Sequence, residues 1–165
     1  MKLLDIYSLK EAPELLYELL LQRRPEANIS HRSMPTYQAH LDFIASRPYQ
    51  AWYIIEADGE FVGSVYLSKA REVGLFLFSQ HQRKGYGRTV IEELLKLHPG
   101  RLLANIAPRN VTSQEFFRDL GFVLIQVTYE LSDGTPRASK RKPRQVHGTL
   151  DGPLSHKDIE REAFK

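Results

Sequence analysis

The pair Asp58-Gly59 stands between two runs rich in β-branched and aromatic residues, and it constrains the fold more than any other feature of the chain. The runs cover residues 51–57 and 60–67, and only this pair separates them. Both of its positions tolerate a positive φ, which a two-residue hairpin loop requires. A third run of the same kind covers residues 73–78. The sequence therefore predicts three consecutive antiparallel strands.

Helical and strand-like patterns occupy the rest of the chain in a definite order. Segments with apolar residues at helical spacing follow Pro13 and Ser33, precede Pro99 and cover residues 112–120. Further strand-like runs cover residues 3–6, 102–107 and 122–131. The order β-α-α-β-β-β-α-β-α-β predicts a mixed α/β sheet of the α+β type. Antiparallel hairpins fill its first half and crossover helices its second.

The fourth predicted helix has a signal at each end. Thr112 and Glu115 stand three residues apart, as a capping box requires, so we expect the helix to begin at Thr112. Gly121 is expected to close it, because glycine accepts the left-handed conformation that often follows a helix.

Composition excludes several classes of protein. With 165 residues, 42% of them hydrophobic, the chain is long enough for one sizeable core and too short for two ordinary domains. Cysteine is absent, which excludes a disulfide framework and a cysteine nucleophile. The six histidines form no His-x-x-x-His pair, so we expect no metal site. No apolar run approaches the ~20 residues of a membrane span, and we expect a cytoplasmic protein without membrane association.

Charge divides the chain near Ser132. Residues 1–131 hold 15 basic and 15 acidic side chains, whereas residues 132–165 hold 8 and 5, so the whole net charge of +3 lies in the tail. We expect a domain over residues 1–131 and a basic, polar extension over residues 132–165. The extension is interpreted as a solvated or subunit-packed segment, compatible with a homodimer, with a polyanion-binding arm as the alternative. The neutral body makes nucleic acid an improbable partner.

The segment Gln82-Arg83-Lys84-Gly85-Tyr86-Gly87 links the third strand of the central run to a helix. Two glycines at a helix start allow the backbone to approach a ligand and leave N–H groups directed outward. Such amides, at the positive end of a helix, form a phosphate site, to which Arg83, Lys84 and Arg88 add charge. The segment lacks the Gly-Lys-Ser/Thr ending of a Walker loop and the three glycines of a Rossmann fingerprint.

In this segment the chain resembles the GNAT superfamily of acyl-CoA-dependent N-acyltransferases. Gln82, Gly85 and Gly87 fit the family's Gln/Arg-x-x-Gly-x-Gly/Ala motif between its fourth strand and third helix. A second signature, a strand leading to an Asn and a helix ending in Leu-Gly-Phe, fits the run from Asn105 to Asn110 and the helix that follows. The resemblance covers residues 1–131. It implies a splayed, largely antiparallel sheet of six to seven strands flanked by about four helices.

The resemblance also implies a site for acetyl-CoA, the acyl donor of such enzymes. Its pyrophosphate would lie on the amides of residues 83–88, and its pantetheine arm would pair with the backbone of β-strand residues 75–77. Asn110 and Ser113 would lie beside that arm, and Phe117 near the thioester. The implied cofactor-binding residues are Leu75, Phe76, Leu77, Arg83, Lys84, Gly85, Tyr86, Gly87, Arg88, Asn110, Ser113 and Phe117.

The chain departs from the family pattern at the catalytic positions. In many members a tyrosine seven residues after the motif Asn protonates the departing thiolate, and an acidic residue five before it helps to deprotonate the amine. Here these positions hold Phe117 and Asn105, and neither can exchange a proton near neutral pH. Glu72 is the candidate base, with a solvated strand-end carboxylate as the alternative reading. His31, Tyr37 and His40 are the candidate acceptor-binding residues, with surface or half-buried polar residues as the alternative.

These features predict an N-acetyltransferase that moves an acetyl group from acetyl-CoA to a primary amine of a small molecule by direct attack. The run from Asn105 to Ser113 is similar to that in bacterial members that act on small molecules, including amino sugars on nucleotide carriers. Protein N-termini, polyamines and aminoglycosides remain open as acceptors. The alternative is a non-catalytic acyl-CoA-binding sensor or scaffold of the same fold. A third reading, binding or modification of nucleic acid guided by the tail, ranks last.

Overall fold

The computed structural model describes residues 1–23 and 34–129, and Met1–Leu124 forms one compact unit. Four strands and four α-helices are found in these residues. They are β1 (Lys2–Asp5), α1 (Ala12–Leu21), α2 (Tyr37–Ala45), β2 (Ala51–Ala57), β3 (Glu60–Leu67), β4 (Val73–Leu77), α3 (Tyr86–Leu97) and α4 (Val111–Asp119).

The sheet has the order β1-β2-β3-β4, and every neighbouring pair is antiparallel. Its central hairpin, β2–β3, has the bounds that the sequence predicts. Asp58 and Gly59 both take a positive φ, 54° and 82°, as the hairpin turn requires. The prediction of a mixed, largely antiparallel α+β fold is therefore confirmed at this level.

The helices cover the two faces of the sheet in pairs, and each pair encloses an apolar cluster. One cluster joins residues of β2, β3 and β4 to Val90, Ile91 and Leu94 of α3 and to Phe117 of α4. The other joins Ile54 of β2 to the buried side of α1, with Ile44 of α2 packed against it. Burial of these side chains is the main term that stabilises the unit.

The expected number of strands is wrong for the described residues, which form four rather than six to seven. Residues 102–107 contribute one isolated bridge, Glu72 with Leu103. Leu102, Ala104 and Ile106 pack against the α3–α4 cluster, so their alternation reflects side-chain burial and not strand pairing. Residues 122–129 form no strand either, because propensity alone does not supply a partner ladder.

The expected capping box at α4 is also wrong. The helix begins at Val111, and Asn110 is its cap: the Ser113 N–H donates to Asn110 Oδ1 at 3.2 Å. Thr112 therefore lies inside the first turn. The far end agrees with prediction, since Gly121 takes a φ of 89° and the Phe122 N–H donates to the Phe117 carbonyl.

Three expectations concern parts of the chain that the structure does not describe. His31 lies outside the described residues, as do the boundary between residues 131 and 132 and the basic extension. The division into one domain and an extension at that boundary stays a prediction. Among the helices of residues 1–23 and 34–129, none is long and apolar enough to cross a membrane.

Candidate functional site

Strand β4 lies at one edge of the sheet and has an open side along most of its length. Hydrogen bonds to β3 involve the even-numbered residues from Glu72 to Phe78, as the Phe78 N–H to Val62 carbonyl bond and the register define. The odd-numbered residues direct their N–H and C=O groups away from β3. Only the first of them is bonded to the next segment, through the Val73 N–H and the Leu103 carbonyl. Beyond this bridge the two segments separate.

Arg71 fixes the closed end of this wedge. Its guanidinium donates to the carbonyl groups of His98, Pro99 and Arg101, and the Leu103 N–H donates to the Arg71 carbonyl. The chain after α3 is thereby held at the start of β4. Within the described residues, the outward amide and carbonyl of Leu75 and the outward amide of Leu77 have no protein partner. They are available to a peptide-like ligand that pairs with the strand.

The start of α3 lies directly beyond this edge. Gly85 caps the helix in the left-handed conformation with a φ of 85°, and no side chain accepts from the first amides. Arg83 also takes a positive φ, 60°. The side chains of Arg83 and Lys84 are exposed. Backbone donors, the positive end of the helix dipole and two cations thus occupy one turn, an arrangement suited to an anion.

The two glycines of this turn are needed for different reasons. A Cβ at Gly85 would meet nothing within 4 Å, so only its backbone conformation demands glycine. A Cβ at Gly87 would lie 2.9 Å from the Phe116 ring. Gly87 is therefore a packing residue between α3 and α4, and it sets how closely α4 approaches the turn.

Other side chains hold the turn in place. Gln82 Nε2 donates to the Leu77 carbonyl at 3.0 Å, which ties the turn to the end of β4. The Tyr86 hydroxyl donates to Asp58 Oδ2, and this bond raises the pKa of Tyr86. Arg88 Nη2 donates to the Asp119 carbonyl at the end of α4. Of the predicted anion-binding residues, Tyr86 and Arg88 thus also have structural partners.

Helix α4 carries three residues of the predicted cofactor site. Asn110 and Ser113 form the cap of the helix and are both half-buried. Phe117 is 9% exposed, and its ring packs against Phe116 and Phe122 with centroids 5.0 Å apart in both cases. Phe117 is thus part of the core between α3, α4 and the sheet.

Glu72 is held by two side chains, those of Asn105 and Ser68, and Asn105 stands where the resemblance implies an acidic residue. Asn105 Nδ2 donates to Glu72 Oε1 at 2.8 Å, and Ser68 Oγ donates to Glu72 Oε2 at 3.3 Å. The same serine hydroxyl also accepts from the Glu72 N–H at 3.0 Å. A carboxylate with both oxygens bound lies at the closed end of the wedge, beside the Glu72–Leu103 bridge. Asn105 cannot act as a base, but it orients the residue that can.

A cavity of about 260 Å³ lies on the α1–α2 face of the sheet. Its floor contains Ser64 and side chains of β2, β3 and β4, and its walls contain leucines of α1. The aromatic and imidazole side chains that line it are His40, Phe43, Tyr49, Trp52, Tyr66 and Phe76. The Tyr66 ring lies directly over Gly74 of β4, where an added Cβ would come within 2.2 Å of it. The cavity therefore reaches the strand that bounds the wedge.

The structure brings two of the predicted acceptor residues together near this cavity. His40 is 3% exposed, and its Nε2 lies 3.1 Å from the Pro13 carbonyl oxygen, to which it donates. Burial lowers the pKa of His40, so the ring is neutral near pH 7. The Tyr37 hydroxyl donates to Glu14 Oε1 at 3.0 Å, and its pKa is raised by desolvation and by this bond. Of the two, only His40 lines the cavity.

No group of three or more potential metal ligands occurs in residues 1–23 and 34–129. Two sets of site residues were not found from the sequence. No sequence motif marks Ser68, because its hydrogen bonds to Glu72 depend on the turn between the two residues. Arg23 lies just after α1 and Tyr49 in the segment before β2, and no spacing in the sequence relates either to the strands that they join in lining the cavity.

A family model provides the deciding comparison. The model of the acetyltransferase (GNAT) family matches residues 14–122, about two thirds of the chain. The chain belongs to the GNAT acetyltransferase family. No curated protein matches it in sequence. The segments that form the wedge, the α3 turn and the cap of α4 all lie within the matched part.

Solved GNAT structures share the fold at low sequence identity. One is yncA from Salmonella typhimurium, a proposed acetyltransferase with acetyl-CoA bound, at 20% identity and TM-score 0.54, covering 73% of this chain and 77% of that one. Another is an aminoglycoside 6'-N-acetyltransferase from Acinetobacter haemolyticus, at 14% identity and TM-score 0.59, covering 82% and 99%. A third is a chimera of the spermidine N-acetyltransferase SpeG from Vibrio cholerae and hSSAT, at 14% and 0.58, covering 74% and 82%.

Proposed function

We propose that the protein is an acetyl-CoA-dependent N-acetyltransferase that acts on a primary amine of a small molecule. The observation that carries this proposal is the open edge of β4 next to the start of α3. The outward backbone groups of Leu75 and Leu77 lie next to the turn before α3, which has amides without a side-chain cap and the exposed side chains of Arg83 and Lys84. This is the combination that a ligand with a peptide-like arm and a pyrophosphate needs.

The residues present fit coenzyme A. The arm carries amide groups, which pair with the backbone of Leu75 and Leu77 as an added strand would. The pyrophosphate is suited to the amides around Gly85 and Gly87 and to the charges of Arg83 and Lys84. Asn110 and Ser113 lie on the helix that faces this turn across Gly87. When bound, acetyl-CoA supplies an acetyl thioester, which a primary amine converts into an amide with release of the thiol.

Glu72 is the group assigned to accept the proton that the attacking amine loses. Asn105 and Ser68 hold its two oxygens, so the carboxylate has a defined position at the closed end of the wedge. Placing amine against thioester supplies a large share of the rate in such reactions, and the base adds about 10²–10⁴-fold. Phe117 has no proton to give, so we assign the protonation of the thiolate to water.

The experiment measures cofactor binding and turnover separately. Acetyl-CoA is titrated calorimetrically into the wild type and into Glu72→Gln, and release of the free thiol is followed with a panel of amines. We expect Glu72→Gln to bind acetyl-CoA as the wild type does and to lose about 10²-fold or more in turnover. Glu92→Gln on the exposed side of α3 is the matched control. If the wild type does not bind acetyl-CoA, the proposal is wrong.

One observation favours a second candidate, a non-catalytic acyl-CoA-binding module. The position at which many family members carry a tyrosine acid holds Phe117, which is 9% exposed and part of the core. A site that binds without turning over would need no acid there. Tight acetyl-CoA binding together with no thiol release across the amine panel would favour this reading over the enzyme.

A further inference from the structure

We propose that the cavity on the α1–α2 face selects an acceptor with a single ammonium group and an apolar, ring-bearing body, and that it rejects polycations. The inference deepens the proposed function and rests on it, because it names the acceptor class for that reaction. It comes from the lining of the cavity. Other members of the fold act on aminoglycosides and spermidine, which are polycations. The chemistry of this cavity differs from what such molecules need.

Aromatic rings dominate the lining and face one another at packing distance. The rings of Tyr49 and Tyr66 are stacked, with centroids 3.9 Å apart and planes 5° from parallel. Trp52 meets Tyr49 edge to face at 4.9 Å, and Phe43 meets Trp52 at 6.1 Å. Phe76 continues the surface toward the edge of β4, 6.5 Å from Tyr66. Such walls favour a flat or compact apolar group.

The polar groups of the lining are few, and none is an acid. Among the described residues that line the cavity there is no Asp or Glu, and Arg23 is the one charged side chain. Trp52 is 7% exposed, and its Nε1 has no hydrogen-bond partner in the described residues. A ligand oxygen or ring face can supply that missing partner.

The volume of the cavity also limits the acceptor. At about 260 Å³ it lies just below the range of about 300–1,000 Å³ that is usual for small-molecule sites. One ring with a short chain fits such a space. A multi-ring acceptor would have to leave most of its body outside.

The position of Glu72 determines where the single amine of the acceptor would lie. Tyr66 lies over Gly74, and Glu72 stands two residues before Gly74, so the Glu72 side chain is on the same face of the sheet as the cavity. An apolar body in the cavity would direct its amine toward β4 and Glu72. Every further ammonium group of a polycation would lose water inside the cavity without meeting a carboxylate, which is unfavourable.

The chain contains its own probe for this inference. Trp52 is the only tryptophan and lines the cavity, so its fluorescence reports occupancy without any reaction. Phenethylamine and spermidine are titrated separately into the full chain in the presence of coenzyme A at constant ionic strength. We expect a saturable change with phenethylamine and binding of spermidine weaker by about tenfold or more, the equivalent of one uncompensated polar loss. Equal or tighter binding of spermidine would overturn the inference.

Variants connect the signal to the cavity. Phe43→Ala removes one wall and is expected to weaken phenethylamine binding by about fivefold, the equivalent of one aromatic contact. Leu95→Ala on α3 is the matched control, since both side chains are 38% exposed in the wild type. Ala39→Phe fills the cavity from α2 and is expected to abolish the change. If Phe43→Ala and Ala39→Phe both bind as the wild type does, the ligand lies elsewhere and the inference is wrong.

Turnover with the same two amines separates this inference from the proposed function. Acetylation of phenethylamine in preference to spermidine supports both. Binding of phenethylamine without acetylation of any amine refutes the enzyme and supports the selectivity of the cavity. Acetylation of spermidine in preference to phenethylamine supports the enzyme and overturns the inference.

Discussion

Gly74 on β4 is a glycine because of Tyr66, and this relation can be tested by paired substitution. A Cβ on Gly74 would lie 2.2 Å from Cε1 and Cζ of the Tyr66 ring and 2.5 Å from its hydroxyl oxygen. Ordinary contact begins at 3.4 Å, so the ring must move by more than an ångström in Gly74→Ala. The ring is fixed on its other side, since it stacks on Tyr49 at 3.9 Å. Moving it therefore disturbs the cavity wall.

The expected energies follow from these contacts. Overpacking costs about 1–3 kcal/mol, and loss of the stack with Tyr49 adds about 0.5–1.5 kcal/mol. Gly74 has no positive φ, so an alanine is compatible with its backbone. In a Tyr66→Ala background the clash is gone, and Gly74→Ala should stabilise the protein by about 0.4–1 kcal/mol through the unfolded state. The coupling between the two positions is therefore about 3 kcal/mol.

Urea denaturation followed by far-ultraviolet circular dichroism measures the free energy of unfolding of the four proteins in this cycle. Gly63→Ala is the control, because its Cβ would lie 2.2 Å from the Phe76 carbonyl oxygen, a backbone atom that Tyr66→Ala does not release. Gly63→Ala should be costly in both backgrounds. If Gly74→Ala costs the same with and without the Tyr66 ring, to within about 0.5 kcal/mol, the reasoning is refuted.

Three further predictions concern the α3 turn, the buried histidine and the tail. Gly85→Val and its control Gly121→Val both force a side chain into a left-handed backbone, at φ values of 85° and 89°. Calorimetry should find weaker acetyl-CoA binding only for Gly85→Val. Equal affinities of the two variants would remove the turn from the site. Burial lowers the pKa of His40, so below about pH 6.5 the unfolded chain binds a proton more readily than the folded chain does. The free energy of unfolding should therefore fall as the pH falls below that value, and it should fall less in His40→Gln. Identical pH profiles of the two proteins would contradict this. A chain truncated after Ser132 should still fold and bind acetyl-CoA. Light scattering should detect a changed oligomer size or a loss of salt-sensitive adhesion to polyanions. A truncated chain that folds but does not bind acetyl-CoA would place the domain boundary elsewhere.

Local signals were sufficient for the elements that local chemistry determines. The bounds of β2 and β3 follow from Asp58-Gly59, because the two turn positions fix where β2 ends and β3 begins. The register of the hairpin, by contrast, shifts between Ile55 and Glu56, and no local signal predicts that shift. Like those bounds, the turn before α3 was predicted from a local signal, because the left-handed backbone conformation at position 85 itself requires glycine. At α4 the predicted start at Thr112 was wrong because the chain turns at Asn110, whose N–H donates to the Ala107 carbonyl and whose side chain caps the helix.

Features that depend on distant parts of the chain were not predictable. Alternation at residues 102–107 records burial against α3 and α4, and the same pattern would suit a paired strand. The bond between Glu72 and Asn105 spans 33 positions, and nothing in either neighbourhood announces the other. The cavity collects side chains from two helices, three strands and the segment before β2.

Because β4 bonds to β3 on one side only, its amides divide by parity into two kinetic classes. Those of Gly74 and Phe76 are bonded within the sheet and open only when the hairpin does. Those of Leu75 and Leu77, on neighbouring residues of the same strand, face outward and exchange with deuterated solvent without any unfolding. A ligand that adds itself to the edge would slow the fast class and leave the slow class as it is. The four amides of residues 74–77 can thus report occupancy as a loss of alternation in exchange rate, with no need for turnover or for a known acceptor.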